Sequence, residues 1–255
     1  MWHQTCLTIW MMPTFQHRTY MRKVLAAMML VIAIGVHAHN YVVCVGISDY
    51  PGRLNDLRVS ANDAMTINKI YSANGHADIR CLTNSEASVA YVKKAMVEIF
   101  GKAGVDDTVL FYFSGHGVPG GFVCQDGFLY YQDVVAEMLR SPAKTKILMA
   151  DACYSGKMRS SDRKGTDDGT KDKNIMFFLS SRTTERSMET PYANSFFTIY
   201  LERGLRGGAD TNRDKTITAE ELYNFVHNGV VKDSKEKQHP VMWGNFDKNM
   251  TIIKW

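Results

Sequence analysis

Cysteine is scarce in this 255-residue chain, which holds five; beyond residue 38 only Cys44, Cys81, Cys124 and Cys153 remain. Their spacing is not that of a zinc site, and they are too few and too scattered for a disulfide scaffold. Cys44 and Cys81 fall inside apolar, strand-like runs, where a free thiol serves as a small hydrophobe. Charge of one sign is also in short supply: the formal net charge is +4, too weak to argue for nucleic acid as a partner. Internal repeats and long low-complexity tracts are missing, which excludes solenoids and repeat arrays. The apolar stretch at residues 24–36 is too short to span a bilayer comfortably. What the chain has in quantity is apolar material, 45% of its residues, enough to bury the core of one large domain.

The N-terminal region reads as a targeting segment. Met21-Arg22-Lys23 is a short basic start, residues 24–36 are apolar, and Val36-His37-Ala38 offers small residues at signal-peptidase spacing. Residues 1–20 look like neither a signal nor a domain. Residues 1–38 are therefore expected to be an upstream extension and signal peptide, with export to the periplasm or the medium and no membrane span after cleavage. No cysteine follows the cleavage point directly, so a lipid anchor is not indicated.

Beyond residue 38, buried strands alternate with helices. Residues 41–47 (YVVCVGI) form a continuous apolar run, as a strand covered on both faces requires. Helical spacing through Ala64, Ile67, Ile70 and Tyr71 predicts a helix over 61–74, stopped by Asn74-Gly75. Strands are expected at 77–83, 109–113, 145–150 and 175–180. Helices are expected from a Ser85 cap to about 100, at 132–140, 195–205 and 218–231, with a short hairpin over 121–131. Thr218 and Glu221 make a capping-box pattern, and Met242 with 251–253 suggests a last edge strand. This pattern predicts an α/β domain, a three-layer αβα sandwich around a mainly parallel sheet of about six strands, whose ligands bind beyond the strands' carboxyl ends.

Two of those strand ends carry chemistry. One apolar run closes on Ser114-Gly115-His116-Gly117, and another on Asp151-Ala152-Cys153-Tyr154-Ser155-Gly156. A cysteine and a histidine delivered to one sheet edge are the apparatus of thiol acyl transfer, and the flanking glycines let backbone approach a substrate. The N–H groups of Gly117 and Cys153 are candidates for the oxyanion hole. Side chains two apart share a strand face, so Asp151 points with Cys153 and Ser114 with His116. A carboxylate beside a thiol disfavours the thiolate, so Asp151 makes better sense as a receptor for a substrate cation. On residue type alone, Asp63 is an ordinary acid in the first turn of its helix.

These two signatures resemble those of the caspase clan, closest to its metacaspase, paracaspase and bacterial orthocaspase branches. The resemblance covers most of residues 41–231 and implies a caspase-like fold with a large-subunit-like part (39–156), a charged linker (157–173) and a small-subunit-like part (174–255). Asp151 stands where true caspases carry Gln, which is the mark of the branches that cut after Arg or Lys. Leu57-Arg58-Val59-Ser60-Ala61-Asn62-Asp63-Ala64 also resembles the segment whose Asp joins the one before the nucleophile in the first specificity pocket, and this implies the same role for Asp63. Ser60 stands where metacaspases often have Cys, and Tyr154 where they often have His. Ser181 and Glu185 fall in the stretch that forms the pocket wall in relatives. The matching linker is often cut during activation, which makes Arg159, Arg163, Lys164, Lys171 and Lys173 candidates for self-cleavage.

One further motif stands apart. Asp210, Asn212, Asp214 and Glu221 have the oxygen-ligand spacing of a calcium loop, but Lys215 occupies the place of the glycine that such a loop needs. A hydrogen-bonded turn leading into the capped helix explains the same residues. The expectation is a cysteine endopeptidase with a His116–Cys153 dyad, acting on protein or peptide substrates at Arg or Lys. No cofactor is required, and calcium dependence is left open, as some metacaspases show it. A catalytically silent binding or regulatory domain and a Cys–His acyl transferase are the alternatives.

Overall fold

The computed structural model describes residues 38–52, 55–152, 174–182, 188, 190 and 194–255. Its centre is a six-stranded sheet in the order β10-β8-β7-β3-β1-β2. The strands are β1 (Asn40–Gly46), β2 (Ala77–Thr83), β3 (Thr108–Gly115), β7 (Thr145–Ala152), β8 (Ile175–Leu179) and β10 (Val241–Gly244). All neighbours run parallel except β10, which closes the β8 edge antiparallel. A small antiparallel sheet of β4 (Gly117–Val118), β5 (Gly121–Val123) and β6 (Phe128–Tyr130) follows β3.

Strand alternation builds a core on each face. Val109, Phe111 and Phe113 of β3 face one side, with α2 (Val89–Phe100) and α3 (Tyr131–Arg140). Leu110 and Tyr112 face the other, against α1 (Ser60–Asn74), α4 (Phe196–Arg203) and α5 (Ala219–Asp233). Every residue of β3 is buried, which is why this strand reads as an unbroken apolar run. At the antiparallel edge Trp243 stacks on Phe177 with ring centroids 4.0 Å apart, tying β10 to β8.

The mainly parallel six-stranded sandwich matches expectation, and two local readings need correction. Helix α2 begins at Val89 with Ser88 as its cap, accepting from the Tyr91 N–H, and not at Ser85. Residues Asn84–Glu86 instead form a short 3₁₀ turn, anchored because the Asn84 carboxamide accepts the N–H groups of Ser48 and Asp49 at 2.9 and 3.1 Å. The expected last strand also divides in two. Met242 lies in β10, whereas β11 (Thr251–Lys254) leaves the main sheet to pair with β9 (Thr216–Thr218). Thr218 and Glu221 do form the reciprocal capping box of α5.

Candidate active site

β3 and β7 are neighbours in register, with Ser114 beside Asp151 and Gly115 beside Ala152. His116 is the next residue after β3, and Cys153 the next after β7. Cys153 itself lies outside the described residues, as do Glu185, the basic residues Arg159, Arg163, Lys164, Lys171 and Lys173, and the signal-peptide stretch up to residue 37. Ala38 is described.

His116 is half-buried and held at three points. Its backbone N–H donates to the Tyr50 hydroxyl at 2.9 Å, and that hydroxyl donates to the Val123 carbonyl at 3.2 Å. The Tyr50 and His116 rings lie 4.7 Å apart. Nε2 of His116 is 2.6 Å from the Asn55 carbonyl oxygen. A carbonyl only accepts, so Nε2 carries the hydrogen in this bond. The third group that orients the histidine is thus a main-chain oxygen, which no sequence pattern reveals. Gly115 is required here, because a Cβ on it would sit 2.5 Å from the Tyr50 hydroxyl. Gly117 opens β4 beside His116, and both line a cleft of about 430 Å³ with Tyr50, Pro51, Asn55 and Gln125. A larger cleft of about 600 Å³ runs along α5 and shares no residue with this site.

The two acids expected to bind a substrate cation are brought together and withdrawn from water. Asp63 is 0% exposed and Asp151 4%. Asp63 reaches the sheet edge because α1 lies hard against β1. A Cβ on Gly46 would come within 2.4 Å of the Ser60 carbonyl oxygen and 2.6 Å of the Ala64 Cβ. Asp63 accepts from the Ser114 hydroxyl at 2.9 Å, the Asn194 carboxamide at 2.9 Å and the Ser195 N–H at 3.1 Å. The Ser195 hydroxyl donates to Asp151 and also caps α4, accepting the Thr198 N–H at 3.1 Å. Burial pushes the Asp63 carboxyl well above its usual range, the Asp151 charge pushes it further, and the three hydrogen bonds pull the other way. Burying two carboxylates side by side disfavours the ionisation of Asp63.

Ser114 is therefore a support for Asp63, bonded to it directly. Ser181 is buried at the start of the loop after β8. Asn194 and Ser195 were missed by sequence reasoning, because a Ser before a helix reads only as a cap; that its hydroxyl also meets an acid from β7 depends on the packing of α4. The calcium-like loop spends its oxygens on its own chain. Asp210 accepts the N–H groups of Asp214 and Lys215, Asp214 that of Thr216, and Glu221 those of Thr211 and Thr218. Lys215, at the expected glycine position, takes a left-handed φ of 64°. Among the described residues no group of three or more His, Cys, Asp and Glu side chains is placed to hold a metal ion, and no helix is long and apolar enough to cross a membrane.

Comparison with known proteins bears on the fold and the family. Two solved structures share the fold at 16% identity: protein GSU0716 of Geobacter sulfurreducens (TM-score 0.63, covering 85% of this chain and 97% of that one) and caspase-1 of Spodoptera frugiperda (TM-score 0.62, 83% and 88%). None of the curated proteins matches the sequence. The family model of the caspase domain, peptidase family C14, matches residues 39–251. Because that model spans most of the chain, the chain belongs to the caspase-domain family of cysteine peptidases.

Proposed function

We propose that this protein is a cysteine endopeptidase that hydrolyses peptide bonds after Arg or Lys. The observation that carries the reading is the buried Asp63–Asp151 pair, one strand register from the ends of β3 and β7, where His116 and Cys153 follow. A guanidinium or ammonium seated on the two carboxylates relieves their mutual repulsion, and a guanidinium can bind a carboxylate through two parallel N–H bonds. The scissile carbonyl then lies over the strand ends.

In this mechanism Cys153 passes its thiol proton to Nδ1 of His116, and the resulting thiolate attacks the carbonyl carbon, forming the C–S bond while the carbonyl π pair moves onto oxygen. The oxyanion is held by the N–H groups of Gly117 and Cys153. Collapse expels the amine, which takes the proton from Nδ1 of His116, and leaves a thioester. His116, held by Asn55 and Tyr50, then takes a proton from water; the hydroxide adds to the thioester and expels the thiolate, releasing the acid. Export with removal of residues up to about 38, and self-cleavage within 157–173, belong to the same proposal and are supported by the sequence pattern alone.

Hydrolysis of Arg, Lys and Asp fluorogenic peptides tests it, under reducing conditions, with and without calcium. Wild type is expected to cut after Arg or Lys, Cys153→Ala to be inactive, and Asp151→Asn to lose on the order of 100-fold or more in kcat/KM while remaining folded. Absence of turnover by wild type in every condition refutes the peptidase reading and leaves a silent domain. Full Arg activity in Asp151→Asn discards the pocket assignment.

A further inference from the structure

Beside the acid pair lies a buried hydroxyl that no group among the described residues uses. Ser180 is 0% exposed, and its Oγ has no hydrogen-bond partner. Its backbone N–H donates to the Ala150 carbonyl at 2.9 Å, continuing the β7–β8 ladder one residue past Leu179 and setting Ser180 next to Asp151. Met176 and Phe178 of β8 face α1, α4 and α5, so alternation turns Ser180 to that same face. On β7 the same alternation, through Ile147 and Met149, turns Asp151 there too. Ser114, Asp151 and Ser180 thus form one polar row across three adjacent strands, at the carboxyl edge where Asp63 meets the sheet.

The position is held firmly. Gln238, itself fully buried, donates from Nε2 to the Ser180 carbonyl at 2.9 Å and accepts the Met188 N–H on Oε1 at 3.0 Å. It fixes both Ser180 and the far side of the loop that leaves β8. Among the described residues two other buried side-chain polar atoms lack partners, the Tyr71 hydroxyl and the Trp243 indole N–H. Tyr71 lies within the apolar core and Trp243 lies against Phe177. Ser180 alone of the three neighbours a carboxylate from the next strand. A buried hydroxyl without a partner is unfavourable, unless a ligand supplies the partner.

We propose that the Ser180 hydroxyl accepts a hydrogen bond from the substrate cation seated on Asp63 and Asp151, and that this contact makes the pocket prefer Arg to Lys. The inference rests on the acid pair receiving that cation. A guanidinium is a broad planar fork with five N–H donors, so it can engage the carboxylates and still extend a donor across the roughly 5 Å to the next strand. The compact ammonium of Lys is a point charge and satisfies the acids without reaching Ser180.

Kinetics of Ser180→Ala and Ser180→Thr on matched Arg and Lys peptides, read with thermal melts, test it. Ser180→Ala is expected to raise KM for the Arg peptide by about 5- to 10-fold with kcat little changed, and to change Lys kinetics less than twofold. Its melting temperature should hold or rise, since an unpartnered polar group is removed. Ser180→Thr keeps the hydroxyl and should retain the Arg preference. An unchanged Arg-to-Lys ratio in Ser180→Ala, with or without loss of stability, overturns the assignment while wild-type cleavage after Arg leaves the pocket reading intact. Failure of wild type to cleave after either residue overturns the pocket reading, and this inference with it.

Discussion

Asp63 and Asp151 are both buried, and burial together with the Asp151 charge makes ionisation of Asp63 harder. The hydrogen bonds from Ser114, Asn194 and Ser195 offset part of that cost, and in the proposed function a substrate cation offsets more of it. The Asp63 carboxyl is raised above its unfolded range, so the folded protein binds that proton more tightly than the unfolded chain. Its stabilising effect is complete below the ordinary carboxylate range and is lost as pH rises through the raised value. Thermal melts should therefore show stability falling from acid towards alkaline pH, with a shallower fall in Asp63→Asn. Substrate binding has the opposite sign, because a cation needs both acids ionised. KM for an Arg peptide should fall as pH rises over the same window, and a KM independent of pH would remove Asp63 from the pocket. At this scale the sequence showed which residue types were present and which strand end each followed. The Asn55 carbonyl, the Tyr50 hydroxyl and Ser195 were hidden, because each acts through a partner that only folding brings near.

At the scale of elements, the site depends on how closely helix α1 lies on strand β1. Gly46 permits that approach, and the approach is what carries Asp63 to the end of β3. Gly46→Ala should push the helix away by a few tenths of an ångström or more, costing about 1–3 kcal/mol of stability. Activity on Arg peptides should fall more than the melting temperature alone predicts. A folded Gly46→Ala variant with wild-type KM would show that the site tolerates a shifted helix. The elements themselves were largely legible: β1, α1, β3, β7 and α5 each carry an uninterrupted apolar run or a clear periodicity. The misread start of α2 and the division of the last strand have one cause in common. Asn84 is held by Ser48 and Asp49, and β11 is held by β9, so distant partners decided both.

For the whole molecule, residues 38–255 form one compact unit with a core on each face of the sheet. A chain spanning 39–255 is expected to unfold in a single cooperative transition by calorimetry, within about 3 °C of the full-length protein. Two separate transitions would show that these residues do not fold as one unit, and a melting point lower by about 10 °C would show that the preceding residues stabilise it. The sequence by itself determined the class of fold, because buried parallel strands demand continuous apolar runs and their crossover helices demand periodic ones. It also determined that a histidine and a cysteine close two such strands. Only the tertiary structure decided that those strands are neighbours in register, that Asp63 is a fully buried partner of Asp151, and that Ser195 and Ser180 stand beside them. The physical reason is that strand order and helix approach are set by packing among residues far apart in the chain, and the shift in the carboxyl exists only once that packing has excluded water.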